Sequence, residues 1–145
     1  MFKSILVPID LAQESSWRFA IPEAIELAKA GSGRLTAMTV VRDMKSIFEG
    51  VALPFQLERA VADARIELAA IVGKFRTDAT MIEQEVRFGS IGREVLAAAK
   101  GRACDLIVMA SHRPEVLDHL IGPNAAHVAQ HAFCSVLVLR KYAAN

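Results

Sequence analysis

The residues of this chain best suited to chemistry are concentrated in one segment, Ala110-Ser111-His112-Arg113-Pro114-Glu115-Val116-Leu117-Asp118-His119-Leu120-Ile121-Gly122-Pro123-Asn124-Ala125-Ala126. An apolar run, Leu106 to Ala110, leads into it, and a helical pattern, Asn124 to His131, leads out. A loop that ends at a helix N-terminus offers free backbone N–H groups and a positive dipole end, and both favour an anion such as phosphate. Arg113 adds a fixed positive charge with several donors, and Gly122 lets the backbone come close to a ligand. A plain crossover loop, whose Gly and Pro only start the helix, has the same composition. Spacing alone leaves both readings open.

Other chemistries fit less well. His127 and His131 stand at i and i+4 on a helix, a spacing that suits a zinc pair, but no Glu follows His127 and no third ligand is evident. With His112 and His119 they read as surface residues, and no metal site is assigned. Ser111 and His112 are adjacent at a strand end, so their side chains diverge and cannot act as nucleophile and base. No Gly-x-Ser-x-Gly elbow is present, and no residue is assigned a catalytic role. Asp10 follows the first strand as in a phospho-acceptor receiver domain, but Phe88-Gly89 and Leu139-Arg140 stand where an acceptor Asp and a Lys are needed. Trp17 and Phe48 read as packing aromatics. Cys104 and Cys134 read as inert buried thiols.

Composition narrows the classes further. The 145 residues are 53% hydrophobic and 23% charged, with a net charge of +1. That is the size of one domain, 1–145, able to bury roughly two-thirds of its unfolded surface. Near-neutral charge removes the electrostatic case for nucleic acid or an anionic membrane. Two cysteines build no disulfide framework, which points to a reducing cytoplasm. The first apolar run ends at Pro8 and Asp10, too short for a signal peptide or a membrane span.

The elements that must position the loop follow from periodicity. Ile5 to Ile9 is a continuous apolar run, as in a strand buried on both faces. Glu14-Ser15-Ser16 opens a helix in which Ala20, Ala24, Leu27 and Ala28 recur before Gly31 stops it, with Pro22 predicting a kink or a late start. Leu35 to Val41 is a second strand, and Arg42 to Pro54 reads as a loop. Leu57, Val61, Ala64, Leu68, Ile71 and Phe75 form the apolar stripe of a long helix. Met81 to Phe88 alternates as an edge strand would, and Ser90 caps a helix Ile91 to Lys100 that Gly101 closes. Leu106 to Ala110 and Ser135 to Leu139 are the last strands.

Strands alternating with helices predict an α/β fold with a parallel sheet and helices on both faces. The two most apolar strands, the first and the fourth, should be central and adjacent. Ligands in such sheets bind beyond the carboxyl ends of the strands, where the strand order reverses. That places Pro8-Ile9-Asp10, Val40-Val41 and the loop after strand four around one site.

These residues resemble the universal stress protein family over essentially the whole chain. The resemblance is carried by Ile5-Leu6-Val7-Pro8-Ile9-Asp10, Ala110-Ser111-His112-Arg113-Pro114, Leu120-Ile121-Gly122-Pro123-Asn124-Ala125-Ala126 and Cys134-Ser135-Val136-Leu137-Val138-Leu139-Arg140. The Ser-His-Arg-Pro stretch is similar to the small F- and G-type bacterial stress proteins. The resemblance implies a five-stranded parallel sheet in order 3-2-1-4-5, like that of the adenine nucleotide alpha hydrolases. It implies a homodimer formed through the last strand, Ser135 to Arg140, and a site for AMP, ADP or ATP, with or without Mg²⁺. Carried over by position, Asp10 meets the ribose or phosphates and the Val40 backbone meets the adenine edge. Pro8 and Ile9 line the cleft, and Met109 and Ala110 form its floor; His112 and Arg113, read from their own chemistry, are further ligand contacts near the phosphates. Gly122, Pro123 and Asn124 meet the phosphates.

The chain departs from the family's Gly-x2-Gly-x9-Gly-Ser/Thr pattern. Ala110 and Arg113 replace the first two glycines, the spacing to Gly122 is one residue shorter, and Pro123 stands at the Ser/Thr position. Proline supplies neither a hydroxyl nor an N–H, so the site is expected to favour AMP or ADP over ATP. Two functional readings follow. One is a dimeric, nucleotide-binding stress regulator, with at most slow hydrolysis or self-modification. The other is a nucleotide-free dimeric adaptor whose phosphate site Pro123 has impaired, acting through a protein partner.

Overall fold

The computed structural model describes residues 1–42, 54–77, 80–111 and 122–140. Five parallel strands form one sheet: β1 (Ser4–Pro8), β2 (Arg34–Arg42), β3 (Ile82–Gly89), β4 (Leu106–Ser111) and β5 (Ser135–Arg140). Their spatial order is β3-β2-β1-β4-β5, so β1 and β4 are adjacent and interior, as expected. The helices are α1 (Ala20–Gly31), α2 (Pro54–Gly73), α3 (Ile91–Gly101) and α4 (Pro123–His131).

The continuous apolar runs are explained by two cores, one on each face. Ile5, Val7, Leu35, Ala37, Leu106 and Val108 pack beneath α1 and α2, which contribute Ala24, Ile25, Leu68 and Ile71. The alternate residues Leu6, Met38, Ile107 and Met109 pack beneath α3 and α4 against Val95, Ala98, Ala125 and Val128. A strand covered on both sides must be apolar at every position, because its pleat sends successive side chains to opposite faces.

β1 is held at its start by a residue a hundred positions away. Asp105 accepts hydrogen bonds from the Lys3 and Ser4 N–H groups at 2.8 and 3.0 Å. Beside it, the end of α1 passes so close to the segment leading into β1 that a β-carbon on Gly31 would collide with the Phe2 carbonyl oxygen. At the other edge, β3 is paired only with β2 and carries a ladder of ion pairs. Arg102 joins Glu83 to Glu85, and Arg87 joins Glu85 to Glu94.

Several boundaries differ from the sequence expectation, each for a local reason. Glu14–Ser16 is a separate 3-10 turn, and α1 starts late, at Ala20, so that Pro22 falls in the first turn where a missing N–H is least costly. Ile9 lies outside β1: its N–H still reaches the Met38 carbonyl, but its own carbonyl is taken by the Thr39 hydroxyl. Gly31 and Gly101 end their helices without supplying the left-handed residue. Ser32 (φ 49°) and Ala103 (φ 50°) do so instead. Ser90 occupies the N-cap of α3 in extended conformation, but its side chain makes no capping bond. The helix ending at His131 begins at Pro123, one residue earlier than expected. The Arg42 to Pro54 loop falls largely outside the described residues.

Candidate functional site

At the carboxyl ends of β1, β2 and β4 lies a cleft of about 330 Å³. It sits where the chain order reverses, with β2 on one side of β1 and β4 on the other. Pro8, Ile9, Asp10, Val40, Met109, Ala110, Gly122, Pro123 and Asn124 all line it. His112 and Arg113, the other two residues assigned to the site from sequence, lie outside the described residues.

Strand alternation determines what β2 shows to the cleft. Met38 turns its carbonyl toward β1 and accepts the Ile9 N–H at 2.8 Å. Successive residues of a strand direct their backbone groups to alternate sides, so Val40 turns its N–H and C=O the same way as Met38. By that point β1 has ended and the Asp10 N–H has turned aside to Ser16 Oγ at 2.9 Å. The Val40 backbone therefore presents a donor and an acceptor side by side to the cleft.

Asp10 is held by its own turn. Its Oδ1 accepts the Ala12 N–H at 2.9 Å, and the buried Ser16 hydroxyl bridges the Asp10 and Gln13 backbone. The opposite wall is the start of α4. The first helical bond there runs from the Ala126 N–H to the Gly122 carbonyl, and no side chain caps the end. Gly122, Asn124 and Ala125 are left with N–H groups outside the helical ladder, whereas Pro123 at the first helical position has none.

Gly122 adopts φ −57° and ψ 153°, a conformation open to any residue, and a β-carbon there would meet nothing within 4 Å among the described residues. The fold itself does not require glycine at this position.

Residues missed from sequence also line the cleft: Ser16, Thr39, Arg42 and Ser111 are polar, and Ile91, Val95 and Ala125 form apolar wall. Arg42 makes no ion pair among the described residues, and with Asp10 it gives the rim one charge of each sign. Ile91 and Val95 fall within the helix expected from Ile91 to Lys100, but nothing in that segment marks them as cleft wall. Ser16 and Thr39 act by hydrogen bonds to backbone across turns, for which the sequence carries no periodic signature.

Remaining candidates resolve simply. Trp17 is core, 8% exposed, edge-on to Phe75 with ring centroids 5.9 Å apart; Phe48 lies outside the described residues. Cys104 and Cys134 are half-buried free thiols, and burial pushes both above the usual thiol range. No group of three metal-ligating side chains gathers among the described residues, and none of their helices is long and apolar enough to cross a membrane.

The sequence profile of the universal stress protein family matches residues 1–140. The chain belongs to that family. Universal stress protein G of Shigella flexneri is similar to it at 32% identity, over 97% of this chain and 100% of that protein. Among solved structures, a universal stress protein in complex with cAMP superposes with a TM-score of 0.64 at 21% identity, covering 97% of this chain and 98% of the other. A family member from Arabidopsis thaliana with AMP bound gives 0.68 at 15%, covering 97% and 93%. These likenesses confirm the Rossmann-like α/β architecture and the 3-2-1-4-5 order.

Proposed function

We propose that this universal stress protein binds an adenine nucleotide in the cleft and acts as a dimeric, cytoplasmic regulator in a stress response. The observation that carries this reading is that the Val40 backbone pair and the uncapped start of α4 open onto one cavity. Adenine offers the complement of that pair, with the N6 amine donating to the Val40 carbonyl and N1 accepting the Val40 N–H. Asp10 then meets the ribose hydroxyls, and Gly122, Asn124 and Ala125 donate to phosphate at the positive end of the helix. His112 and Arg113 are assigned to the same ligand from the sequence alone. The cAMP and AMP held by two structural neighbours support the choice of base.

Pro123 sets the phosphate number. Each hydrogen bond to a charged group contributes roughly 1.5–3 kcal/mol, so a missing hydroxyl and N–H cost about tenfold or more in affinity apiece. The site therefore favours AMP or ADP over ATP. β5, paired only with β4, leaves one edge of the sheet open and its apolar residues half-buried, which suits pairing with a second copy across a two-fold axis.

The deciding experiment is calorimetric titration of nucleotide-stripped protein with AMP, ADP and ATP, with and without Mg²⁺. Saturable micromolar binding, strongest for AMP or ADP, is the expected result. No heat and no thermal stabilisation at millimolar nucleotide overturns the reading and leaves the nucleotide-free adaptor. Sedimentation equilibrium tests the dimer separately.

A further inference from the structure

The last turn of α4 carries His127 and His131, both exposed, with ring centroids 4.5 Å apart and planes 34° apart. His131 Nδ1 lies 2.9 Å from the His127 carbonyl oxygen. A carbonyl only accepts, so Nδ1 carries the proton, and in the neutral ring Nε2 is left as the lone-pair nitrogen. Metal-ligating histidines are held in this way: one ring N–H rests on a backbone carbonyl, which fixes the tautomer and makes the other nitrogen the ligand. His127 is braced by a different element. Gly92 of α3 leaves room for its ring, since a β-carbon there would collide with His127 Cδ2 and press on Nε2.

We propose that His127 and His131 form an open, two-imidazole site for a borderline divalent transition-metal ion, with water completing its coordination. No third protein ligand joins them among the described residues, so the closed geometry of structural zinc is not the one formed. Two neutral imidazoles with water suit nickel, copper(II) and zinc, whereas magnesium and calcium demand oxygen ligands. The negative end of the α4 dipole lies at the same turn and favours a cation there. Bridging i and i+4, the ion staples the final turn of a helix whose first turn lines the cleft.

The test is calorimetric titration of the full, reduced chain with nickel(II) chloride in the absence of nucleotide, so that the result does not depend on the cleft. The expected outcome is one nickel per chain, a melting temperature raised by several degrees at large excess, and no competition from magnesium chloride. His127→Ala and His131→Ala should each weaken binding by at least about tenfold, and the double Cys104→Ser/Cys134→Ser change should leave it unaltered. Without metal, His131→Ala should melt like the parent chain, and His127→Ala, which leaves the Gly92 notch empty, only slightly lower. The proposal is overturned by no binding at millimolar nickel, by binding that survives loss of both histidines, or by binding lost with His112→Ala/His119→Ala while the pair is intact.

Discussion

The Thr39 hydroxyl donates to the Ile9 carbonyl oxygen at 3.0 Å, in a buried setting. This bond joins the residue after β1 to the residue before Val40, so it sets the separation between the two strand ends that frame the cleft. Thr39→Val keeps the shape and removes the donor, leaving a buried carbonyl unpaired at a cost of about 1–3 kcal/mol. Denaturant unfolding should register that loss, and nucleotide affinity should fall with it. Thr39→Ser, which keeps the hydroxyl, should restore most of both.

Gly122 and Pro123 separate binding from folding. A β-carbon at Gly122 meets nothing within 4 Å among the described residues, so Gly122→Val should lower stability by no more than about 1 kcal/mol, the scale of an N-cap preference. Nucleotide affinity should fall at least about tenfold, because the added side chain occupies the space beside the free N–H groups. A variant that binds as tightly as the parent would remove phosphate from this end of α4.

Pro123→Ser works in the opposite direction. It returns a hydroxyl and an N–H to the first helical position and should tighten binding by about tenfold or more, most for the triphosphate. Titrations of parent and variant with AMP and ATP side by side give the comparison.

Acid should unfold the protein through two carboxylates. Burial acts to raise Asp105, but the Lys3 and Ser4 N–H groups outweigh it and hold its carboxyl below the ordinary range. Burial likewise acts to raise Glu85, and its bonds to Arg102 and Arg87 outweigh it. A carboxylate depressed in the folded state binds fewer protons than in the unfolded chain. Its stabilisation is complete above the ordinary carboxylate range and is lost as pH falls through the folded value. Melting temperature should therefore decline below about pH 4, and Asp105→Asn or Glu85→Gln should flatten that decline while lowering stability at neutral pH.

Cys104 and Cys134 should be slow nucleophiles. Burial is the main influence raising each thiol, and the Ser4 hydroxyl only partly offsets it at Cys104. Alkylation by iodoacetamide at neutral pH should be slower than for free cysteine and should accelerate in denaturant. Rapid labelling of either residue in the folded protein would contradict the burial described.

What could be read in advance depended on whether a feature repeats along the chain. The strands and helices rest on periodic apolar residues, so Leu6, Ile107 and the α2 stripe announced themselves, and the order of elements implied the switch point. Gly31 shows the limit. It looked like a helix stop, but its role is to let the Phe2 carbonyl pass, a contact between distant segments that leaves no local pattern. Asp105, Ser16 and Thr39 were missed for the same reason, since each acts through side-chain hydrogen bonds to the backbone of other segments or turns. In the cleft, residues tied to a motif were legible, whereas Arg42 entered only once strand ends were placed together.

The position of β1 also bears on how the chain is made. It is synthesised first, yet its partner β4 and the Asp105 carboxylate that anchors it emerge about a hundred residues later. Once β1, β2, α1 and α2 are out, they can close one face, with Ile5, Val7, Leu35 and Ala37 covered. Leu6 and Met38 on the reverse side stay wet until α3, β4 and α4 follow. A nascent chain paused between β3 and β4 is thus a half-covered sheet with one sticky side, the species most in need of a chaperone.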